Sequence, residues 1–150
     1  MEMGAKHVHR PRSVSVVWAA VVWTALYVAS KVHLALEERL GVTGGPRVAP
    51  DSYRGYGPGE VAQAQWANAA AGALIVGALV AALFTARHRW PRRMLLAVLA
   101  ICAAMAAAGA IGMIGKAVFT EQGGAVFGVY CAVWTVLLLL AARDVHRRGV

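Results

Sequence analysis

The segment ASKVHLALEERLG, residues 29–41, sets Lys31, His33, Glu37, Glu38 and Arg39 within nine residues at the end of an otherwise apolar stretch. On a helix His33 and Glu37 stand one turn apart, and a histidine beside a carboxylate can serve as a proton acceptor near neutral pH. The same two side chains supply two ligands for a metal ion, but no third ligand follows at a suitable spacing. The pair is therefore a candidate acid/base couple, with His33 as the acid/base and Glu37 orienting it. Nothing in the chain calls for a metal or a cofactor.

At roughly 100° per residue, Trp23, Leu26, Ser30, His33 and Glu37 fall along one stripe of this helix, with Tyr27, Lys31, Leu34 and Glu38 beside it. The opposite arc is wholly apolar. Three further apolar stretches bring partners to the same depth. Gln65, Asn68 and Gly72 share a face at the start of the second; Lys116 ends the third; Glu121 precedes the fourth, which carries Phe127, Tyr130 and Trp134 on one stripe. A ligand-binding pocket built from Tyr27, Lys31, His33, Glu37, Gln65, Asn68, Lys116, Glu121 and Tyr130 is one reading, since ionisable groups on membrane helices are usually inward-facing and functional. The competing reading leaves Lys31, Glu37, Glu38 and Lys116 at the water interface, snorkelling or paired.

Four membrane spans are the elements that position these groups. The chain has 150 residues, 59% of them hydrophobic and only 15% charged. A helix needs about 20 apolar residues to cross the ~30 Å hydrocarbon layer. Spans over about 14–36, 64–86, 93–115 and 123–143 meet that need or approach it. Backbone groups in lipid must be satisfied within the segment, which selects helices. The expected fold is all-α: one domain, residues 1–150, a polytopic bundle of four transmembrane helices with a single sizeable loop at 37–60.

The net charge of +8 is unevenly placed. Lys6, Arg10 and Arg12 precede span one, Arg87, Arg89, Arg92 and Arg93 join spans two and three, and Arg143, Arg147 and Arg148 follow span four. Against these ten stand only Glu2 and Asp144; on the other side five basic residues meet five acidic ones. The positive-inside rule places both termini in the cytoplasm and the 37–60 loop outside. The basic runs are read as topology signals and as contacts with anionic lipid head groups at the cytoplasmic face, not as a nucleic-acid surface. The start of span one resembles a secretory signal, with Val28-Ala29-Ser30 as a cleavage site, but the apolar run continues beyond it and an uncleaved helix is expected.

Smaller signals concern packing. Cys102 and Cys131 sit near the middle of spans three and four and read as small apolar packing residues. Ala104 and Ala108, with Gly109, Gly112 and Gly115, let helices approach closely, either within the chain or in a homo-oligomer or a complex with another membrane protein. Pro58 and Glu60 mark the start of the second helix, Pro91 that of the third, and Thr120 is a candidate cap for the fourth. No ionisable residue occupies the central stretch of any span, which counts against a small proton-coupled transporter.

SKVHLALEERLGVTGGP followed by AQWANAAAG resembles the first half of an uncharacterised family of small four-helix membrane proteins found mostly in high-GC Gram-positive bacteria. His33, Leu34, Ala35 and Leu36 take the place of that family's short apolar motif, and Gly41, Gly44 and Gly45 that of its Gly-rich loop. The resemblance implies a fold and the bacterial cytoplasmic membrane, and no activity. Three functions follow as expectations: a non-enzymatic accessory or small-ligand or lipid-binding bundle, a membrane enzyme using His33 and Glu37 on a lipid-like substrate, and a small transporter subunit.

Overall fold

A computed structural model describes residues 12–84 and 89–147. Four helices follow in order: α1 (Arg12–Leu36), α2 (Glu60–Phe84), α3 (Arg89–Phe119) and α4 (Ala125–Arg147). Each contains a stretch long and apolar enough to cross a membrane. The start of α1 and the end of α4 share one end of the bundle. The loop between α1 and α2 and the turn between α3 and α4 share the other, here the loop end. The basic tail at residues 1–11, the tip of the 86–93 connection and Arg148 lie outside the described residues.

The helix ends differ from the expected spans in ways local chemistry explains. Helix α2 starts at Glu60, whose carboxylate accepts the Gly57 N–H at 2.7 Å and so secures the chain entering the helix. Helix α3 runs on to Phe119, and Thr120 turns back on it: its hydroxyl donates to the Lys116 carbonyl at 2.6 Å. Thr120 thus closes α3 and does not cap α4, which begins at Ala125 after Gly123 and Gly124, both with positive φ.

Helix α1 ends in a Schellman motif. The Arg39 N–H bonds the Leu34 carbonyl at 2.9 Å and the Glu38 N–H bonds that of Ala35 at 3.3 Å. Glu38 holds the left-handed position of this motif, φ 51°, where glycine is usual.

The helices pair unequally. Helix α1 packs along α2 and α3 along α4; α1 also meets α4, whereas α2 and α3, though consecutive, make little contact. Two glycines permit the close pairs. A Cβ on Gly72 would lie 2.7 Å from Val28 Cγ2, and one on Gly128 would lie 2.6 Å from Ile114 Cγ1 and 3.0 Å from its backbone nitrogen. The apolar core occupies the terminal half of the bundle, where Val17, Leu79, Leu99 and Leu138, one from each helix, are fully buried. Bulky apolar side chains such as Leu74, Ile111, Phe119 and Leu139 are exposed along the outside, as suits a chain whose solvent there is lipid.

The α1–α4 seam joins the two pairs and is aromatic. Trp23 stacks on Tyr130, centroids 4.8 Å apart, and donates its indole N–H to the Tyr130 carbonyl at 3.2 Å. Tyr130 returns its hydroxyl to the Trp23 carbonyl. Trp134 donates to Thr24 Oγ1 at 3.0 Å, and Thr24 in turn donates to the Ala20 carbonyl. The indole N–H groups of Trp23 and Trp134 and the hydroxyls of Tyr130 and Thr24 thereby each meet an acceptor within the bundle.

Three substitutions test this packing and the closing turn of α1. Gly128→Ala forces overlap with Ile114 and costs on the order of 1–3 kcal/mol, lowering Tm in detergent. Gly112→Ala, with nothing within 4 Å of its new carbon, leaves Tm unchanged or slightly raised. Glu38→Gly relieves a left-handed residue and stabilises by about 1 kcal/mol, raising Tm in the same assay.

Candidate functional site

The loop end is organised by one buried cation. Lys31 is only 7% exposed. Its ammonium donates to the Gly41 carbonyl at 2.7 Å and to Gln65 Oε1 at 3.0 Å, and lies 5.7 Å from the centre of the Tyr27 ring. Gln65, 2% exposed, turns its amide nitrogen to the carbonyls of Arg39 at 2.7 Å and Gly41 at 3.2 Å. Two side chains from α1 and α2 thus bind the turn that follows α1. All the direct partners of the ammonium are neutral, and no carboxylate lies within ion-pair distance of it among the described residues.

From that turn the chain crosses the bundle. Gly44 accepts the Phe127 N–H at 3.0 Å, satisfying a donor in the first turn of α4. The Arg47 N–H reaches the Gln122 carbonyl at 2.9 Å, and Pro46 pairs with Gly123 across an isolated bridge. On the helix side, Ser30 and Thr43 hydroxyls lie 2.6 Å apart. The segment 39–47 is therefore a strap pinned to α1, α2, α4 and the α3–α4 turn.

Two cavities flank this strap and share Val42, Thr43 and Gly44 as a common wall. The first, about 330 Å³, lies between α1 and α4 and is lined by Leu26, Tyr27, Val126, Phe127 and Tyr130, almost entirely through apolar surface. The second, about 620 Å³, lies over the end of α1; it is more polar and is lined by His33, Arg39, Arg47 and Tyr53 with the backbone between them. Tyr53 fixes its floor by accepting the Leu40 N–H at 3.1 Å.

The residues singled out in the sequence separate into three groups. Tyr27, Lys31, Gln65 and Tyr130 come together at or beside the strap. His33 and Glu37 meet, Nε2 to Oε1 at 3.4 Å, but both are exposed, and Glu37 also takes Arg39 at 3.1 Å. Asn68, Lys116 and Glu121 are exposed and line neither cavity. The cause is the rotation of α1: the stripe turned inward is Thr24, Tyr27, Lys31 and Leu34, next to the one that carries His33 and Glu37.

Sequence reasoning passed over Arg39 and Arg47 as site residues, along with Thr43. Their signal is the glycine spacing of Gly41 and Gly44, whose φ values of 106° and 73° fold the strap. Among the described residues no three of His, Cys, Asp and Glu gather as a metal site, and Cys102 and Cys131 are free thiols. Comparison with known protein families, curated proteins and solved structures finds no match.

Gln65→Leu keeps the bulk of the side chain but leaves Lys31 short of an acceptor and the Arg39 carbonyl unpaired. A loss of ~3 kcal/mol is expected, since each stranded buried polar group costs 1–3 kcal/mol. Hydrogen exchange reads the consequence as faster amide exchange over residues 37–47, with the helix cores unaffected.

Proposed function

We propose that the protein is a non-enzymatic integral membrane protein that binds one amphipathic lipid at its loop end. The observation that carries this reading is the pair of adjacent cavities on either side of the strap. An apolar slot between α1 and α4 suits a hydrocarbon chain, and a polar chamber beside it suits the head that the chain bears. Ligand sites of this kind are largely apolar with a few placed polar groups, here the Ser30–Thr43 hydroxyl pair at the shared wall. The charge asymmetry between the two ends supports an extracytoplasmic loop end, so the lipid belongs to the outer leaflet.

An enzyme acting on a lipid-like substrate is the second reading, and the contact between His33 and Glu37 favours it. His33 does line the polar chamber, but neither Asn68 nor Lys116 joins it there to complete an acid/base site. A binding role needs only the chamber and the slot.

Native mass spectrometry of the protein extracted in mild detergent tests the reading. A single retained lipid per chain is expected. Leu26→Trp, which fills the slot from its lipid-exposed rim, reduces retention at least fivefold while Tm stays within a few degrees of the parent. A chain that carries no lipid, or a variant that retains it as well as the parent does, overturns the assignment.

A further inference from the structure

Resting on that reading, we infer that the lipid's head is anionic and phosphate-bearing, with its phosphate oxygens held by Arg47 and Arg39 in the polar chamber. Three observations converge. The chamber is lined by two arginines and a histidine and by no acidic residue. Of the nearby carboxylates, Asp51 pairs with Arg54 at 3.0 Å and Glu60 accepts the Gly57 N–H, while Glu37 contacts Arg39 and His33 and leaves Arg47 as the lining cation still open. Arg47 has no acidic partner among the described residues, although its backbone is pinned to Gln122.

The third observation is Lys31. An ammonium removed from water and given only neutral partners is costly unless an anion lies near, and the low local dielectric lengthens the reach of its charge. Lys31 bonds the carbonyl of Gly41, and Gly41 is part of the chamber wall. The buried charge therefore backs the wall of the chamber that Arg39 and Arg47 also line, and an anion placed there offsets Lys31 and Arg47, with Arg39 already paired to Glu37. A guanidinium fork matches the oxygens of a phosphate in two parallel hydrogen bonds, which suits a head group that must be oriented as well as attracted. The amides of Gly41, Val42, Thr43 and Gly44, residues that line the chamber, donate to no protein acceptor among the described residues. A free phosphate would need only the chamber; the adjoining slot favours a phosphate that carries a chain.

The test is a titration of the full chain in detergent micelles with dioctanoyl phosphatidylglycerol, dioctanoyl phosphatidylcholine, dioctanoylglycerol and inorganic phosphate, followed by native mass spectrometry. Phosphatidylglycerol is expected to bind at least roughly tenfold tighter than the zwitterionic and uncharged lipids, the range of one charged hydrogen bond. Arg47→Gln removes about that factor for phosphatidylglycerol alone. Glu37→Gln frees Arg39 and raises phosphatidylglycerol affinity about threefold, a gain that misfolding would not produce. Equal affinity for the three lipids, still abolished by Leu26→Trp, overturns the anionic head while leaving the lipid reading intact. Binding of none of them overturns both. Inorganic phosphate binding as tightly as phosphatidylglycerol overturns the lipid source and marks a site for free anions.

Discussion

Where a helix stops near a membrane surface, its last carbonyls lose their partners, and the chain must find donors for them without relying on water. In this protein backbone amides of the closing turn serve His33, Leu34 and Ala35, and Lys31 and Gln65 supply donors to the carbonyls of Arg39 and Gly41 in the chain just beyond. The requirement sets the direction of the strap, and the strap sets both cavities. A shorter side chain at position 31 would not span the distance; the four-carbon stem of lysine lies along α1 beside the Tyr27 ring and delivers its head to the turn. Gln65 suits its place because one amide offers an acceptor to the ammonium and two N–H groups to the carbonyls.

The seam between α1 and α4 solves a different problem. Apolar packing in lipid gains little from the hydrophobic effect, so helices associate through close fit and shared hydrogen bonds. Gly72 and Gly128 provide the fit within each pair. Between the pairs, Trp23, Tyr130, Trp134 and Thr24 combine ring contacts with reciprocal side-chain-to-backbone bonds. Because α2 and α3 barely touch, this aromatic seam carries most of the connection between the two pairs inside the membrane, with the strap adding to it at the surface.

The four helices were legible in the sequence because hydropathy reports burial in lipid directly, residue by residue. Helix ends were less so: α3 extends through Lys116 to Phe119 because a lysine at a helix end is tolerated near the interface, and Thr120 bonds backward to Lys116. In the site, Lys31, Gln65, Tyr27 and Tyr130 stood out as polar or aromatic groups at one depth. The spacing of His33 and Glu37 foretold their contact and not their exposure, since a turn of one residue about the helix axis decides which stripe faces inward. Arg39 and Arg47 escaped notice because their place depends on the path of a loop. That path is set by backbone bonds at Gly41 and Gly44, whose spacing marks a fold in the chain but not what the folded chain meets.

The strap also imposes an order on the making of the protein. Gly44 and Arg47 leave the ribosome long before Phe127 and Gln122, their eventual partners. During synthesis the first two helices can enter the membrane and pair through Gly72, and the Lys31–Gln65 clamp can close within that pair. The strap's remaining bonds wait for the last helix, because one wall of the apolar slot is α4 itself. The newly inserted half of the chain therefore passes through a stage with its loop tethered at one side only, and the apolar slot is a product of the final step of assembly.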